Sequence, residues 1–259
     1  MRREPFQRAL VTGAAGGLGS ALCRRLAGDG TDLVLLDRDA DGLERLRAEL
    51  GGRVRVSTTV VDLVDHASFA TALRELLDEG VPDLVVANAG VDRPQPLASF
   101  DWRMALDDFA VNATANVVLL AEVVPHLLRR GGGHVVAVAS LAGLAGFPVE
   151  ATYCASKAAL AVFVESARAE LAPRGVSFTT AWPGFVETPM LAGNAWKVSS
   201  PVPVGEAAAR IHRAARARRA RVAFPRSVLW KTRLGTLLPV RLRDRALRAV
   251  MDPTRLGGG

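Results

Sequence analysis

The sequence predicts an α/β domain, an open and mostly parallel sheet covered on both faces by helices, on three observations. Short apolar runs rich in Val, Leu and Ala alternate with helix-length amphipathic runs from residue 8 to residue 224. The first apolar run empties into a glycine-rich turn that opens a helix. Aromatic residues are only 5% of the chain while AVILMFWYC residues reach 49%, the balance expected when parallel strands are buried on both sides. With 259 residues and no repeat or low-complexity linker, the chain suits one large domain, residues 1–225, followed by a basic extension, 226–259, that belongs to it.

Taken in order, residues 8–12 form the first strand and run into Gly13-Ala-Ala-Gly16-Gly17-Leu18-Gly19, with a helix over 20–27. Glycines there allow a tight turn and let a pyrophosphate approach the positive end of the helix. Residues 32–37 form a strand ending on Asp37, where a dinucleotide-binding (Rossmann) fold places the carboxylate that binds the adenosine ribose hydroxyls and repels a 2′-phosphate. NAD is therefore the expected cofactor, although Arg38 beside it could accompany the phosphate of NADP. A helix over 40–50, a strand over 54–61 ending at Asp62, a helix capped by Asp65 and reaching 79, and a strand over 84–87 ending in Asn88-Ala89-Gly90 continue the alternation.

A long helix over 102–130 carries Asn112 among apolar neighbours, either as a structural polar link or as a relay near the site. Residues 134–139 form a strand that delivers Ser140 at its end, a helix runs to 171, and a strand over 177–182 ends in Pro183-Gly184. Ligands of such sheets bind at the carboxyl ends of the strands, which puts Gly13, Asp37, Asn88 and Ser140 on one rim.

The chemistry centres on Tyr153 and Lys157, four residues apart, so that on a helix an ammonium lies beside a phenol. A fixed cation favours the phenolate and draws the tyrosine pKa down from about 10, which makes a proton donor and acceptor for an alcohol or carbonyl oxygen. The two cysteines, Cys23 and Cys154, form no disulfide framework or metal motif, and Cys154 reads as a small buried thiol. The four histidines are scattered, so no metal site is expected. The start of the chain lacks the apolar run of a signal peptide, and a cytoplasmic location is expected.

Together, Thr12-Gly13-x-x-x-Gly17-x-Gly19, Asp62, Asn88-Ala89-Gly90, Asn112, Ser140, Tyr153-x-x-x-Lys157 and Pro183-Gly184 followed by Thr188 resemble the short-chain dehydrogenase/reductase family, in its compact single-domain branch, over residues 7–225. The resemblance implies hydride transfer between a nicotinamide and a secondary alcohol or ketone. In it Tyr153 is the general acid/base, Lys157 lowers its pKa and holds the nicotinamide ribose, Ser140 bonds the substrate oxygen, and Asn112 holds a water linking Lys157 to solvent. It also implies cofactor contacts from Gly13, Gly17, Leu18, Gly19, Asp37, Arg38, Asp62, Leu63, Asn88, Gly90, Pro183, Gly184, Val186 and Thr188, and a homodimer or homotetramer. Rival readings are a reductase of carrier-bound 3-oxoacyl groups, an epimerase or dehydratase, and a non-catalytic dinucleotide sensor.

Substrate choice is expected in residues 91–97, 141–150 and 185–196. There Phe147, Val149, Phe185, Met190, Leu191 and Trp196 suggest a lipophilic or bulky small-molecule substrate. The formal net charge of +7 divides into −4 over the first 204 residues and +11 over the rest. In the tail, Leu242, Ala246, Leu247, Val250 and Met251 make one apolar face and arginines the other. That basic segment suits a peripheral anionic membrane, an acidic carrier protein, or a helix that covers the core with a solvated cationic face. Nucleic acid is not expected, for want of a reading motif or stacking platform.

Overall fold

The computed structural model describes residues 4–193 and 200–250. Seven strands form one parallel sheet: β1 (Arg8–Thr12), β2 (Asp32–Asp37), β3 (Val56–Val60), β4 (Leu84–Ala87), β5 (Gly133–Val138), β6 (Val176–Pro183) and β7 (Arg221–Phe224). Their order is β3-β2-β1-β4-β5-β6-β7, so the chain winds outward from β1 in one direction and then from β4 in the other. Register is fixed by direct pairing, with Leu10 opposite Val34 of β2 and Val85 of β4.

The helices are α1 (Gly17–Gly28), α2 (Ala40–Leu50), α3 (His66–Glu79), α4 (Trp102–Phe109), α5 (Ala115–Arg129), α6 (Ala151–Leu171), α7 (Val204–Arg216), α8 (Arg226–Leu237) and α9 (Val240–Val250). Side chains alternate across the pleat, so each strand feeds two cores. Val11, Leu35, Val86 and Val136 pack with Leu22 and Leu26 of α1, Leu43 and Leu46 of α2, and Ile211 of α7. Leu10, Val34, Val85 and Val135 pack on the other face with Phe69 and Leu73 of α3, Leu119 and Val123 of α5, and Leu160 and Val164 of α6. Each such burial is worth ~1.5–3 kcal/mol relative to exposure, which is why the central strand β4, buried throughout, is wholly apolar, while β3 at the sheet edge carries Ser57, Thr58 and Thr59. As expected, Asp65 caps α3, accepting from the Ser68 amide at 3.0 Å.

The expected helix over 102–130 is continuous, but it widens into a π turn at Ala110–Thr114 between α4 and α5, centred on Asn112. Its length and apolarity would allow it to cross a bilayer; here Leu119, Val123 and Leu127 are buried against the sheet, which makes it a core helix.

The tail departs from the reading in which it covers the core. α8 leans on β7 and on the turn after β5, yet none of its residues is buried: Val228, Leu229 and Thr232 are half-buried, while Trp230, Leu234 and Leu237 face outward. Leu242 and Ala246, expected on the apolar face of the last helix, are exposed; Met251 lies outside the described residues.

Leu73→Ala, which empties space between α3 and the sheet, is expected to lower stability by ~2–5 kcal/mol in urea unfolding at unchanged m. Leu237→Ala is expected to change it by less than ~0.5 kcal/mol. Equal losses would mean that α8 is part of the core.

Candidate active site

A cleft of about 530 Å³ opens beyond the carboxyl ends of the strands, where the sheet order reverses between β1 and β4. One wall is the glycine turn. Gly13 adopts φ +65°, and a Cβ there would lie 2.7 Å from the Ala89 Cα, while a Cβ at Gly19 would collide with the Gly13 carbonyl oxygen. Asn88 Nδ2 donates to the carbonyl oxygens of Thr12 at 3.1 Å and Gly13 at 3.0 Å. Thr12 Oγ1 accepts from the amides of Asn88 at 3.1 Å and Ala89 at 3.2 Å.

α1 has no side-chain cap and no acidic residue in its first turn, so Gly17, Leu18 and Gly19 present a positive helix end to the cleft. At the end of β2, Asp37 accepts from the amides of Ala15 at 3.0 Å and Asp39 at 3.1 Å, and Arg38, Asp62 and Leu63 continue the same wall. A turn with no room for a Cβ and an uncapped helix end suit a pyrophosphate, and the Asp37 carboxylate at the rim suits a ribose. These residues fit a dinucleotide.

Tyr153 lies in the first turn of α6 and Lys157 one turn on, both lining the cleft with Ser140 from the end of β5. Lys157 is 3% exposed; its Nζ donates to the Val138 carbonyl at 3.0 Å and stands 5.9 Å from the centre of the Tyr153 ring. Burial brings the lysine pKa down to about 8, with Asp92 acting in the opposite sense.

Tyr153 corrects an expectation. Its pKa is held well above the ordinary value by burial first and by the Asp92 carboxylate second, with only the Ser140 hydroxyl pulling it down. The Lys157 ammonium donates to the Val138 carbonyl, and burial, with the Asp92 carboxylate second, sets the proton affinity of the phenol. Ser140 Oγ also accepts from the Ala142 amide at 3.1 Å.

Asn112 sits behind the wall rather than in it. Its Oδ1 accepts from the Val91 amide at 2.8 Å, and its Nδ2 donates to the Val91 carbonyl at 2.9 Å and to Ser156 Oγ at 3.1 Å. The side chain thus ties the loop after β4 to the helix that carries Tyr153 and Lys157. Of the other expected positions, Gly13, Asn88, Gly90, Pro183, Gly184, Val186 and Thr188 all line the cleft. Phe147, Phe185, Met190 and Leu191 form its apolar end as expected, while Trp196 lies outside the described residues. Val149 is instead buried, at φ 59°, with its carbonyl accepting from the Gln95 amide at 2.7 Å. For a β-branched residue that backbone is strained, and it directs the next side chain inward. Cys154 is buried, and burial pushes its thiol up to about 12, as it does for Cys23.

That next side chain is Glu150, which sequence reasoning missed together with Asp92. Glu150 occupies the position before α6 without capping it, is only 5% exposed, and lines the cleft. Among the described residues, neither of its oxygens, nor Oδ1 of Asp92, receives a donor. The two carboxyls face each other and can bond only by sharing a proton. Burial first and the Asp92 carboxylate second raise Glu150 to about 9 and put that proton on it; burial raises Asp92 as well, with the Glu150 hydrogen bond and Lys157 acting in the opposite sense. The available signal was position: Asp92 follows Asn88-Ala89-Gly90 by two residues, and Glu150 precedes Tyr153 by three.

Residues 7–197 match the family described as short chain dehydrogenase. An uncharacterized oxidoreductase of Myxococcus xanthus is 34% identical over 250 residues, spanning 96% of this chain and 99% of its own. The 1-deoxy-11-beta-hydroxypentalenate dehydrogenase of Streptomyces exfoliatus is 38% identical over 190 residues, 71% of this chain and 69% of that protein. A solved short chain dehydrogenase from Burkholderia cenocepacia in complex with NADP aligns with a TM-score of 0.80 at 26% identity, covering 95% of this chain and 98% of that one.

A carboxyl whose pKa is raised on folding costs stability increasingly as pH climbs from the unfolded value toward the folded one. Glu150→Gln, which imitates the protonated form, should therefore raise Tm at pH 8 by several °C and by much less at pH 5. An equal Tm change at both pH values would show that Glu150 ionises like a surface carboxyl.

Proposed function

The chain belongs to the short-chain dehydrogenase/reductase family, and within it we propose an NAD-dependent oxidoreductase of bulky, largely apolar secondary alcohols or ketones, with Tyr153 moving the proton. The observation that carries this reading is that Tyr153, Lys157 and Ser140 line the same cleft as the glycine turn and Asp37. A nicotinamide, when bound, supplies the carbon that gives or takes the hydride.

The chain's own residues divide the remaining tasks. Ser140 Oγ holds the substrate oxygen, and Lys157 offers its ammonium to the nicotinamide ribose. Tyr153, kept neutral by its surroundings, donates its proton to a carbonyl oxygen as that oxygen gains charge, and recovers it from an alcohol in the reverse direction. Asn112 positions Val91 and α6 relative to one another.

Asp37 favours NAD because its carboxylate would repel a 2′-phosphate; Arg38 and the NADP in the Burkholderia relative are the points against. Phe147, Phe185, Met190 and Leu191 support an apolar substrate body. Asp92 and Glu150 add a polar requirement: buried carboxyl oxygens with no donor beyond the proton they share suit a substrate bearing a second hydroxyl or an ammonium. The Streptomyces relative is by name a dehydrogenase of a hydroxylated compound, in keeping with an alcohol substrate. Exposed Val117 on α5 and Val162 and Phe163 on α6 support the pairing of copies through those helices.

Oxidation of secondary alcohols of increasing apolar size, with NAD and with NADP, is the direct test. Turnover with NAD should rise with apolar size and fall at least about a hundredfold in Tyr153→Phe, while NADH binding followed by fluorescence persists. Asp37→Ala should narrow the preference for NAD about tenfold. NADH binding with no turnover of any alcohol would favour a sensor instead.

Because Tyr153 is held protonated, its acid form is present at neutral pH and its base form appears only as pH rises. Alcohol oxidation should thus climb from about pH 7 to about pH 10, while ketone reduction stays flat and then falls. An oxidation rate that is flat across this range would remove Tyr153 from the role of base.

A further inference from the structure

The outer face of the tail is assigned no role by the oxidoreductase reading, and the family match ends at residue 197. On α8, Trp230, Leu234 and Leu237 fall at i, i+4 and i+7 and are 57%, 60% and 80% exposed; the stripe continues through Leu238 and Val240 to Leu242 on α9. Isolated exposed apolar residues are ordinary, but a contiguous Trp and Leu stripe is not. Around it stand Arg226, Lys231, Arg233, Arg241, Arg243, Arg245 and Arg248, with Asp244 the sole acid from residue 226 to residue 250. Arg233 lies over the Trp230 ring, 6.0 Å from its centre. The opposite edge of α8 turns Val228 and Thr232 into the cleft.

We propose that α8 and α9 form a membrane-docking face that seats the protein on an anionic lipid surface, with the apolar stripe at the level of the headgroups and the cations among them. Charge decides the occupant. Residues 226–259 carry a net charge of +6 against +1 for the 225 residues before them, so an anionic surface attracts this face far more strongly than the remainder of the domain. A second copy docked here about a two-fold axis would set these seven cations against the same seven. The domain itself does not cover the stripe, since no residue of α8 is buried. Tryptophan, leucine and arginine on one amphipathic unit are the composition that lies in a lipid interface. Because the opposite edge of the same helix lines the cleft, a docked protein would hold the cleft one helix away from the lipid, the source of an apolar substrate.

The test uses the full chain and vesicles of phosphatidylcholine alone or with about one-third phosphatidylglycerol, separated by sedimentation. Wild type should partition at least tenfold more onto the anionic vesicles, with the excess lost in high salt. Leu234→Asp/Leu237→Asp should reduce partition at least tenfold, and Arg241→Glu/Arg245→Glu should abolish the preference for anionic lipid. Since all four side chains are exposed, each variant should keep the wild-type Tm, which is recorded alongside. Failure of wild type to bind either vesicle, or equal binding by Leu234→Asp/Leu237→Asp, would overturn the proposal in favour of an acidic protein partner. Self-association of wild type that this variant loses would overturn it in favour of a second copy. The measurement needs no substrate, so its failure is separate from any failure of the alcohol panel.

Discussion

The seam between β1 and β4 sets the geometry of the whole cleft. These strands are neighbours in the sheet but 76 residues apart at the Thr12–Asn88 contacts, and their ends are joined by the Asn88 amide and the Thr12 hydroxyl. Because Asn88 spends its donors on main-chain carbonyls of the glycine turn, the turn cannot drift from the end of β4. From that fixed pair, β2 carries Asp37 to one side and β5 carries Ser140 to the other. The parallel sheet thus acts as a ruler, and each site residue is placed by the strand it ends.

The electrostatics are less economical. Lys157 is a buried cation whose direct acceptor is a neutral carbonyl, so an anion close by lowers the cost of keeping its charge. Asp92 supplies that anion. Glu150 then adds a second carboxyl to a wall that needs only one, and holds it neutral. The strained backbone at Val149 and the hydrogen bond from Gln95 are what keep it there. Strain and an unmatched polar group at the same place are the usual mark of a constraint set by a ligand rather than by folding.

The fold was legible because its signals are local: apolar runs of strand length, glycines where a turn needs them, and caps such as Asp65. The gathering of the glycine turn, Asp37, Asn88 and Ser140 on one cleft was equally legible, since each of those ends a strand or opens a helix. The substrate side was not. Asp92 and Glu150 lie in loops far apart in sequence, and only the fold reveals that they face each other. The proton affinity of Tyr153 was misread for the same reason: i, i+4 spacing puts Lys157 nearby but says nothing of the carbonyl to which it turns. The widened turn at Asn112 and the outward stripe on α8 have no periodic signature that separates them from an ordinary core helix.

The chain's two cysteines, Cys23 in α1 and Cys154 in α6, are both buried, with thiols pushed up to about 12. Alkylating reagents attack thiolates, so at neutral pH both sulfurs are nearly inert. A single cysteine introduced at an exposed site such as Leu97 would outcompete them without any prior removal of the native pair. The native chain is in effect already a cysteine-free background for site-directed fluorophores and spin labels, with which the approach of ligands to the cleft can be followed in solution.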